Sequence, residues 1–409
     1  MKCYIVGGAI RDSLLGLPIK DRDYVVTGAT PADMLKRGFE QVGIDFPVFI
    51  HPVDKAQYAL ARTERKTGVG YNGFSTEILN VTLEQDLYRR DLTINAIALD
   101  DHGTIFDYYG GVSDLENRIL RHVSDSFTED PVRVLRIARF MARYHNLGFT
   151  IADETLILLR QMVNDGLLME LKAERVWLEL SKAMMEDHPS VFFTVLREVG
   201  ALAVVFPEID ALFGVPQNPI HHPEIDCGVH TLLTLDRAVA LGGGLEVRMA
   251  ALLHDLGKAI TPRSEWPKHL MHECTGVPIV HKFCWRLTIP NDISLLATLT
   301  CEHHLRCHRT LEMTPKKIMK LMLAFDVFRR PHVFKNFILA CKADAQGRTG
   351  KENCVYLPYD FYTSLLPKLE VVKAEPYVKQ GLTGTKIGEA MYRERLMIIK
   401  KHSQQLING

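Results

Sequence analysis

Apolar and polar positions change rhythm along this chain of 409 residues, and each rhythm predicts a different kind of structure. Short apolar runs come first: Tyr4-Ile5-Val6, Tyr24-Val25-Val26, Pro47-Val48-Phe49-Ile50 and Tyr58-Ala59-Leu60-Ala61 all have strand length. Between them, Ala9 to Leu15 reads as a helical turn or two. Thr30-Pro31 reads as an N-cap and first residue of a helix that ends near Arg37-Gly38. Short strands mixed with helices predict an α+β head with a small sheet over residues 1–140. From Asp153 the period turns helical, with Leu156, Leu159 and Val163 on one stripe and Val176, Leu180 and Met184 on another. Pro189 to Val199 is a third helix, stopped by Gly200. These stripes read as the core of an all-α neck over 141–220. Three prolines between Val204 and Pro219 read as a linker or domain boundary. Residues 221–350 form a histidine-rich unit. In the tail, 351–409, Lys379 to Gly384 turns into a helix bearing Arg393, Arg395, Lys400 and Lys401, either a solvated face or a phosphate contact.

The head carries chemistry at Val6 to Gly28. A strand, the Gly7-Gly8 pair and a helix start suit phosphate, because glycine admits close backbone approach and helix N-termini favour anions. Asp21 and Asp23 are two residues apart, so on a strand they project from one face. Side by side they repel unless a cation lies between them, and Mg²⁺ takes such oxygens together with substrate phosphates. Glu64, after a strand, is either a third carboxylate or a surface glutamate and stays outside the firm set.

Two further stretches stand out. In Asp86 to Ala96, Leu92, Ile94 and Ala96 alternate like the buried side of an element, with Arg90, Asp91 and Asn95 polar among them. An Arg–Asp pair there is either a structural tie or a nucleotide contact. Asp107 to Gly111 is a glycine-flanked turn. In Glu129 to Phe140, Asp130 before Pro131 is a good N-cap, and Arg133, Arg136 and Arg139 recur every three residues. One helix face then bears three guanidiniums, which repel unless an anion lies there, while Val132, Leu135 and Phe140 pack on the other side.

Histidines crowd the third region, among them His221, His222, His230, His254, His269, His272, His281, His303, His304 and His308. The His254-Asp255 doublet, with His230 upstream, is a candidate divalent-metal site, since imidazole and carboxylate suit Zn, Mn, Ni or Fe.

Composition adds bounds. Lys+Arg and Asp+Glu are equal at 49 each, so net charge gives no sign of nucleic acid. Eight cysteines without a CxxC pair favour reduced thiols in a cytoplasm. The chain begins straight on a strand, which argues against a signal peptide, and no apolar run approaches the ~20 residues of a membrane span.

GG-x-x-RD-x-LLG followed by DxD, then RRDxTxNA, then EDxxRxxR resemble, in order, the class II tRNA nucleotidyltransferases and their poly(A) polymerase relatives. The match is nearest to bacterial CCA-adding enzymes that carry an HD domain. GVHTLLTLDRA with ALLHDLGK resembles the HD phosphohydrolases. The resemblance implies a polymerase β-like head that adds C, C and A to tRNA from CTP and ATP without a template. Asp21 and Asp23 would then hold Mg²⁺, while Gly8, Arg11, Arg90, Arg136 and Arg139 bind the nucleotide and Asp91 and Asn95 the ribose. Asp130 with Arg133 would choose the base. C and A both offer an amino donor beside a ring-nitrogen acceptor, U and G reverse that order, and a carboxylate accepts while a guanidinium donates. His230, His254, Asp255 and, more loosely, Asp344 would hold a transition metal such as Ni²⁺ (or Mn²⁺, Co²⁺) in a phosphatase, 2′-nucleotidase and 2′,3′-cyclic phosphodiesterase site. The chain departs from these relatives at Met271-His272-Glu273 and His303-His304-Leu305, where Leu305 replaces an expected aspartate. Homodimer formation is a further expectation. The rivals are a poly(A) polymerase, whose longer basic C-terminal extension is missing, and an HD phosphohydrolase with a nucleotide-binding head.

Overall fold

A computed structural model describes residues 1–19, 21–42, 48–66, 74–77 and 80–407. They form two compact units, Met1–Lys172 with Thr194–Val204 and Ala173–Phe193 with Val205–Gly409. The division therefore runs through the expected neck.

The first unit opens with β1 (Lys2–Val6), α1 (Gly8–Leu14), β2 (Asp23–Thr27), α2 (Pro31–Lys36), β3 (Glu40–Val42), β4 (Val48–Ile50) and β5 (Gln57–Leu60). The antiparallel pair β6 (Thr63–Lys66) and β7 (Phe74–Glu77) follows, then α3 (Leu83–Tyr88), β8 (Ala98–Leu99), β9 (Ile105–Phe106) and α4 (Gly111–Glu116). The main sheet has the order β3-β4-β5-β2-β1-β8-β9, with β2 and β5 parallel. Its centre explains the uninterrupted apolar run in β2. Val25 packs with Val6, Leu83, Leu87 and Ala96 on one face, and Val26 with Met34, Phe39, Phe49 and Leu60 on the other. A strand covered on both faces has no polar side to alternate with. Thr30 caps α2 as expected: its hydroxyl accepts from Asp33 N, and the Asp33 carboxylate accepts from Thr30 N. Pro47, expected in a strand, lies outside the described residues.

The alternation expected at Leu92, Ile94 and Ala96 does not occur. Residues 91 to 98 are all buried, and Thr93–Asn95 form one 3₁₀ turn. Its Asp and Asn are satisfied inside the head, so both sides of the run face protein. Gly111 makes this packing possible, because a Cβ there would stand 2.2 Å from the Thr93 carbonyl oxygen. The unit continues through β10 (Ile119–Leu120), α5 (Val132–Tyr144), β11 (Thr150–Ile151) and α6 (Asp153–Asn164). Leu135, Ile137 and Ala138 of α5 are fully buried, which fixes that helix against the head.

The chain passes between the units along α7 (Ala173–Met184), α8 (Pro189–Glu198), α9 (Ala201–Val205) and α10 (Pro207–Asp210). Of the two readings of Val204 to Pro219, the boundary holds, since the units divide at Val204 and Val205, and the linker does not. Val205, Phe206, Ile209, Leu212 and Val215 are buried, and the Phe206 ring lies 6.2 Å from those of Phe192 and Phe283. Pro207 starts a helical turn rather than breaking one.

The second unit then comprises α11 (Cys227–Ala240), α12 (Leu245–Leu253), α13 (His272–Arg286), α14 (Asn291–His308), α15 (Pro315–Ala324), α16 (Pro331–Gln346), α17 (Leu357–Glu370), α18 (Glu375–Lys379) and α19 (Thr385–Ile407). Phe325, Phe334, Phe337, Phe361 and Tyr362 fill its core. In α19, Ile399 and His402 are buried while Arg393, Lys400 and Lys401 are exposed. Arg395 behaves differently from its neighbours: its guanidinium lies 3.5 Å over the Phe328 ring and donates to Val372 O. No helix among the described residues is long and apolar enough to cross a membrane, and all eight cysteines are free thiols.

Candidate functional sites

β1 delivers the chain to Gly7, whose φ of 70° favours glycine. A Cβ on Gly7 would stand 3.0 Å from Arg90 Nη1, and one on Gly8 3.4 Å from Arg11 Nη2, so the glycine turn is the floor beneath two guanidiniums. Arg11 is buried; it donates to Asp12 and, through Nη1, to Asn95 Oδ1. Asn95 Nδ2 donates to Asp91 Oδ1 at 2.9 Å, and Asp91 Oδ2 accepts from Arg136 Nε at 2.8 Å. Arg90 donates to Asn95 O and reaches Asp86 at 3.4 Å. Gly8, Arg11, Arg90, Asp91, Asn95 and Arg136 thus belong to one connected network.

Asp23 opens β2 and pairs in register with Val6, at the edge of the glycine turn; Asp21 lies before the strand, so the shared strand face expected for the two does not form. Burial raises the Asp23 carboxyl above the usual aspartate range; Arg90 opposes this and Asp21 adds to it. Two carboxylates this close in sequence, one of them beside Arg90, fit a divalent cation. Glu64 lies in β6, and its side chain falls outside the described residues.

The arginines of α5 divide. Arg133 donates to Ser126 O and Arg89 O, at 2.8 and 2.6 Å. Arg139 is buried with its guanidinium 4.7 Å over Phe140. Arg136 is the more exposed of the three and pairs with Asp91. Asp130 Oδ1 accepts from Val132 N at 3.2 Å, but the cap position of α5 falls on Pro131 and not, as expected, on Asp130.

Asp91 carries the energetic weight of this network. Burial would raise its carboxyl, but Arg136 and the Asn95 hydrogen bond outweigh burial and hold it well below the usual range. A depressed carboxyl stabilises the fold above its unfolded pKa of ~3.9, and that contribution fades as pH falls toward the folded value. Asp91→Asn is therefore expected to destabilise the head by about 2 kcal/mol at pH 7. That is less than the roughly 3–5 kcal/mol of a fully buried pair, because Arg136 retains solvent. Thermal melts of the two proteins should converge as pH drops below about 4.

In the second unit, α11 carries His230, the end of α12 carries His254 and Asp255, and α16 carries Asp344, all buried. The fold brings the four expected residues together. His230 Nε2 lies 3.0 Å from Asp344 Oδ1 and 3.9 Å from Asp255 Oδ2; His254 Nε2 lies 3.1 Å from Asp255 Oδ2 and 3.7 Å from Asp344 Oδ1. Sequence reasoning missed their neighbours. His272 Nε2 and His304 Nε2 stand 3.1 and 3.5 Å from Asp255 Oδ1, and His308 Nε2 stands 2.7 Å from Asp344 Oδ2. His304 and His308, four apart on α14, share a helix face, and that spacing was the readable signal. Lys258 Nζ, also buried, lies 2.6 Å from Asp255 Oδ2.

Three triads result among the described residues, His230–His254–Asp344, Asp255–His272–His304 and His222–Glu224–His230, each with ligand atoms within 4.8 Å of one another. Burial would raise both aspartates, but His254 and Lys258 at Asp255, and His254 and His308 at Asp344, hold them well below the usual range. Burial pushes His304 down to about 3, which leaves a neutral imidazole. His254 Nε2 and Asp255 Oδ1 find no aligned hydrogen-bond partner despite their burial. Ionised carboxylates, a neutral imidazole and orphaned ligand atoms suit a divalent transition metal. Other histidines lie elsewhere: His281 is exposed, His303 packs on Phe325, and His269 faces Pro216 O.

Gly257 positions this site. A Cβ there would stand 2.0 Å from the His272 carbonyl oxygen and 2.8 Å from Gly276 N, so glycine lets α13 close on the turn after Asp255. Gly257→Ala is expected to push His272 away from Asp255. Calorimetric Mn²⁺ titration should show an affinity lowered about 10- to 100-fold, the usual cost of losing a supporting contact at a metal site.

A poly A polymerase head domain matches residues 3–121, a probable RNA and SrmB-binding site of polymerase A matches 148–213, and an HD domain matches 228–327. Together with the glycine-turn network and the histidine cluster, these define a nucleotidyltransferase-type enzyme with an HD domain. The chain is 56% identical over 401 residues to the multifunctional CCA protein of Teredinibacter turnerae, covering 98% of each. It is 51% identical to that of Hahella chejuensis, covering 99% of this chain and 96% of the other. It belongs to the multifunctional CCA protein family. Its fold is also that of a Thermotoga maritima CCA-adding enzyme complexed with tRNA, with a TM-score of 0.63, 21% identity, and coverage of 99% of this chain and 91% of that one.

Proposed function

We propose that this chain adds C, C and A to the 3′ end of tRNA from CTP and ATP, with the protein itself in place of a template. The observation that carries the reading is the network joining Gly8, Arg11, Arg90, Asp91, Asn95 and Arg136 beside Asp21 and Asp23. The tRNA 3′ oxygen bonds to the α-phosphorus, the bond to pyrophosphate breaks, and the hydroxyl proton is released. Gly8, Arg11, Arg90, Arg136 and Arg139 hold the triphosphate, and Asp91 and Asn95 orient the ribose. Asp130 and Arg133 select C or A by their complementary acceptor and donor roles. Mg²⁺, held by Asp21 and Asp23, supplies charge neutralisation at the reacting oxygens. Residues 1–140 act as the head, 141–220 as the neck, 221–350 as the HD domain and 351–409 as a tail that meets tRNA phosphates. A homodimer in the cytoplasm is the expected working form.

The second activity is phosphate-ester hydrolysis at the HD cluster. His230, His254, Asp255 and Asp344 hold a transition metal such as Ni²⁺, Mn²⁺ or Co²⁺, and His272 and His304 extend the donor set. Such a metal lowers the pKa of water and polarises the ester. For a 2′,3′-cyclic phosphate, the water oxygen bonds to phosphorus, one ring P–O bond breaks, and the freed oxygen takes the proton.

The test is incorporation of labelled CTP, then ATP, into a tRNA ending at its discriminator base. Two C and one A, with U and G refused, is the expected result. A long A tail would move the activity to poly(A) synthesis. No incorporation would sink the transferase reading.

A further inference from the structure

Two cavities adjoin at the histidine cluster, and their linings differ in kind. The first, of about 820 Å³, lies over the metal-ligand groups and is bordered by His222, His272 and His308. Lys258, Lys268, Arg309, Arg348 and Lys351 also line it. The second, of about 980 Å³, shares Lys268, His272, Leu305 and Arg309 with the first and runs on to Arg306, Lys317 and Lys320. Of the residues lining either cavity, Glu273 is the one carboxylate. Lys268, Arg309, Lys317, Lys320 and Lys351 are exposed and have no ion-pair partner among the described residues.

A surface with this imbalance repels itself unless it meets an extended anion. Lys317 and Lys320 are three apart on α15, which keeps them on one helix face, while Arg306 stands in the last turn of α14 and Arg309 just past its end. Leu270 and Met271, 63% and 59% exposed, line the same cavity and offer apolar cover to flat rings. Charge that tracks a backbone beside apolar contact for bases is how proteins bind single-stranded nucleic acid. Either cavity alone has the size of a small-ligand site, and the second contributes just His272 from the metal-ligand set. Leu305 stands at the junction, where an aspartate would place a negative charge in the path of a phosphate.

We propose that the two cavities form one groove for the 3′ end of a single-stranded RNA. The terminal phosphate enters the histidine cluster, and the preceding phosphodiesters run along Arg306, Lys317 and Lys320. The inference rests on the hydrolytic reading of the cluster and deepens it: the substrate is the end of a polynucleotide, and a mononucleotide fills only the inner half.

The full chain, loaded with Mn²⁺, would be given 2′,3′-cyclic AMP and a tetranucleotide ending in a 2′,3′-cyclic phosphate. The tetranucleotide is expected to show a kcat/KM at least about 10-fold higher, as one or two added charge-assisted contacts provide. Combined Lys317→Ala and Lys320→Ala should abolish that advantage and leave the cyclic AMP rate unchanged. The double substitution should also flatten the log–log salt dependence for the tetranucleotide by about 1.4, from ~0.7 per lost single-strand phosphate contact. Equal kcat/KM for the two substrates, or a variant that slows both alike, overturns the groove while leaving hydrolysis standing. If neither substrate is hydrolysed, the hydrolytic reading fails, and lysine acetylation mapping decides the groove on its own. Protection of Lys317 and Lys320 by the tetranucleotide, absent with cyclic AMP, upholds it. Unchanged acetylation overturns it.

Discussion

Replacing Asp21 or Asp23 with alanine is expected to lower CTP incorporation into tRNA by about a thousandfold while the head stays folded. The magnitude follows from a metal's share of transition-state stabilisation, several kcal/mol, at ~1.4 kcal/mol per tenfold in rate. The stability half of the expectation is the sharper one. Asp23 has its carboxyl raised by burial, with Arg90 opposing and Asp21 adding to the shift. A carboxyl whose folded pKa lies above its unfolded value costs stability once pH rises past the unfolded value, so at pH 7 without cation Asp23 is a burden on the fold. Asp23→Ala should therefore melt no lower than the parent protein in chelator. Mg²⁺ should raise the parent's midpoint and leave the variant's unmoved. A variant that loses activity by unfolding would melt early in both buffers. One that retains CTP incorporation would remove Asp23 from the chemistry. Hydrolysis of 2′,3′-cyclic AMP is measured on the same preparations and is expected to be unchanged, since its ligands all lie in the second unit.

Some of this was legible in the chain because local chemistry set it. The Thr30-Pro31 cap, the doubly covered Val25 and Val26, and the burial of Val176, Leu180 and Met184 all follow from short-range rules. The histidine cluster was half legible. His254-Asp255 announces itself as a doublet, but His272 and His304 were set aside as departures from a pattern. Their role depends on α13 closing over Gly257 to within the reach of a backbone carbonyl, a contact between residues 15 apart in sequence that no periodicity encodes. The same holds for Gly111 under Thr93. Asp91 shows a different limit. Its motif identified it as polar among apolar neighbours, yet the partner that fixes its charge, Arg136, arrives from a helix 45 residues later. The prolines of 204–219 marked the boundary between the units but not its structure, because Pro207 at the first position of a helical turn and a proline in a loose linker look alike in one dimension.

The hydrolytic cluster yields the second large effect, and two substitutions there should part company. His254 Nδ1 faces Ala251 O at 2.8 Å, which assigns its proton to that side and aims Nε2 into the cluster. His254→Gln keeps side-chain volume and removes the imidazole ligand. Mn²⁺ affinity should fall by at least about 100-fold and cyclic AMP hydrolysis with it, while the melting midpoint in chelator drops less than that of Asp255→Ala, because Asp255 keeps Lys258 and Asp344 keeps His308 as partners. Asp255→Ala removes a ligand too, but it also strands Lys258, whose ammonium is buried 2.6 Å from Asp255 Oδ2 and otherwise bonds Gln217. An uncompensated buried charge costs about 3–5 kcal/mol, so this variant should melt well below His254→Gln even without metal. Adding Lys258→Met to Asp255→Ala should restore much of that midpoint without restoring metal binding, because the stranded charge is gone and the ligand is still missing. If Asp255→Ala and His254→Gln instead melt alike in chelator, Lys258 does not depend on Asp255. If either retains full Mn²⁺ affinity, the cluster is a structural polar core and the hydrolytic site lies elsewhere. CCA addition by both variants, measured at a temperature below either midpoint, is expected to match the parent, which separates loss of one chemistry from loss of the chain.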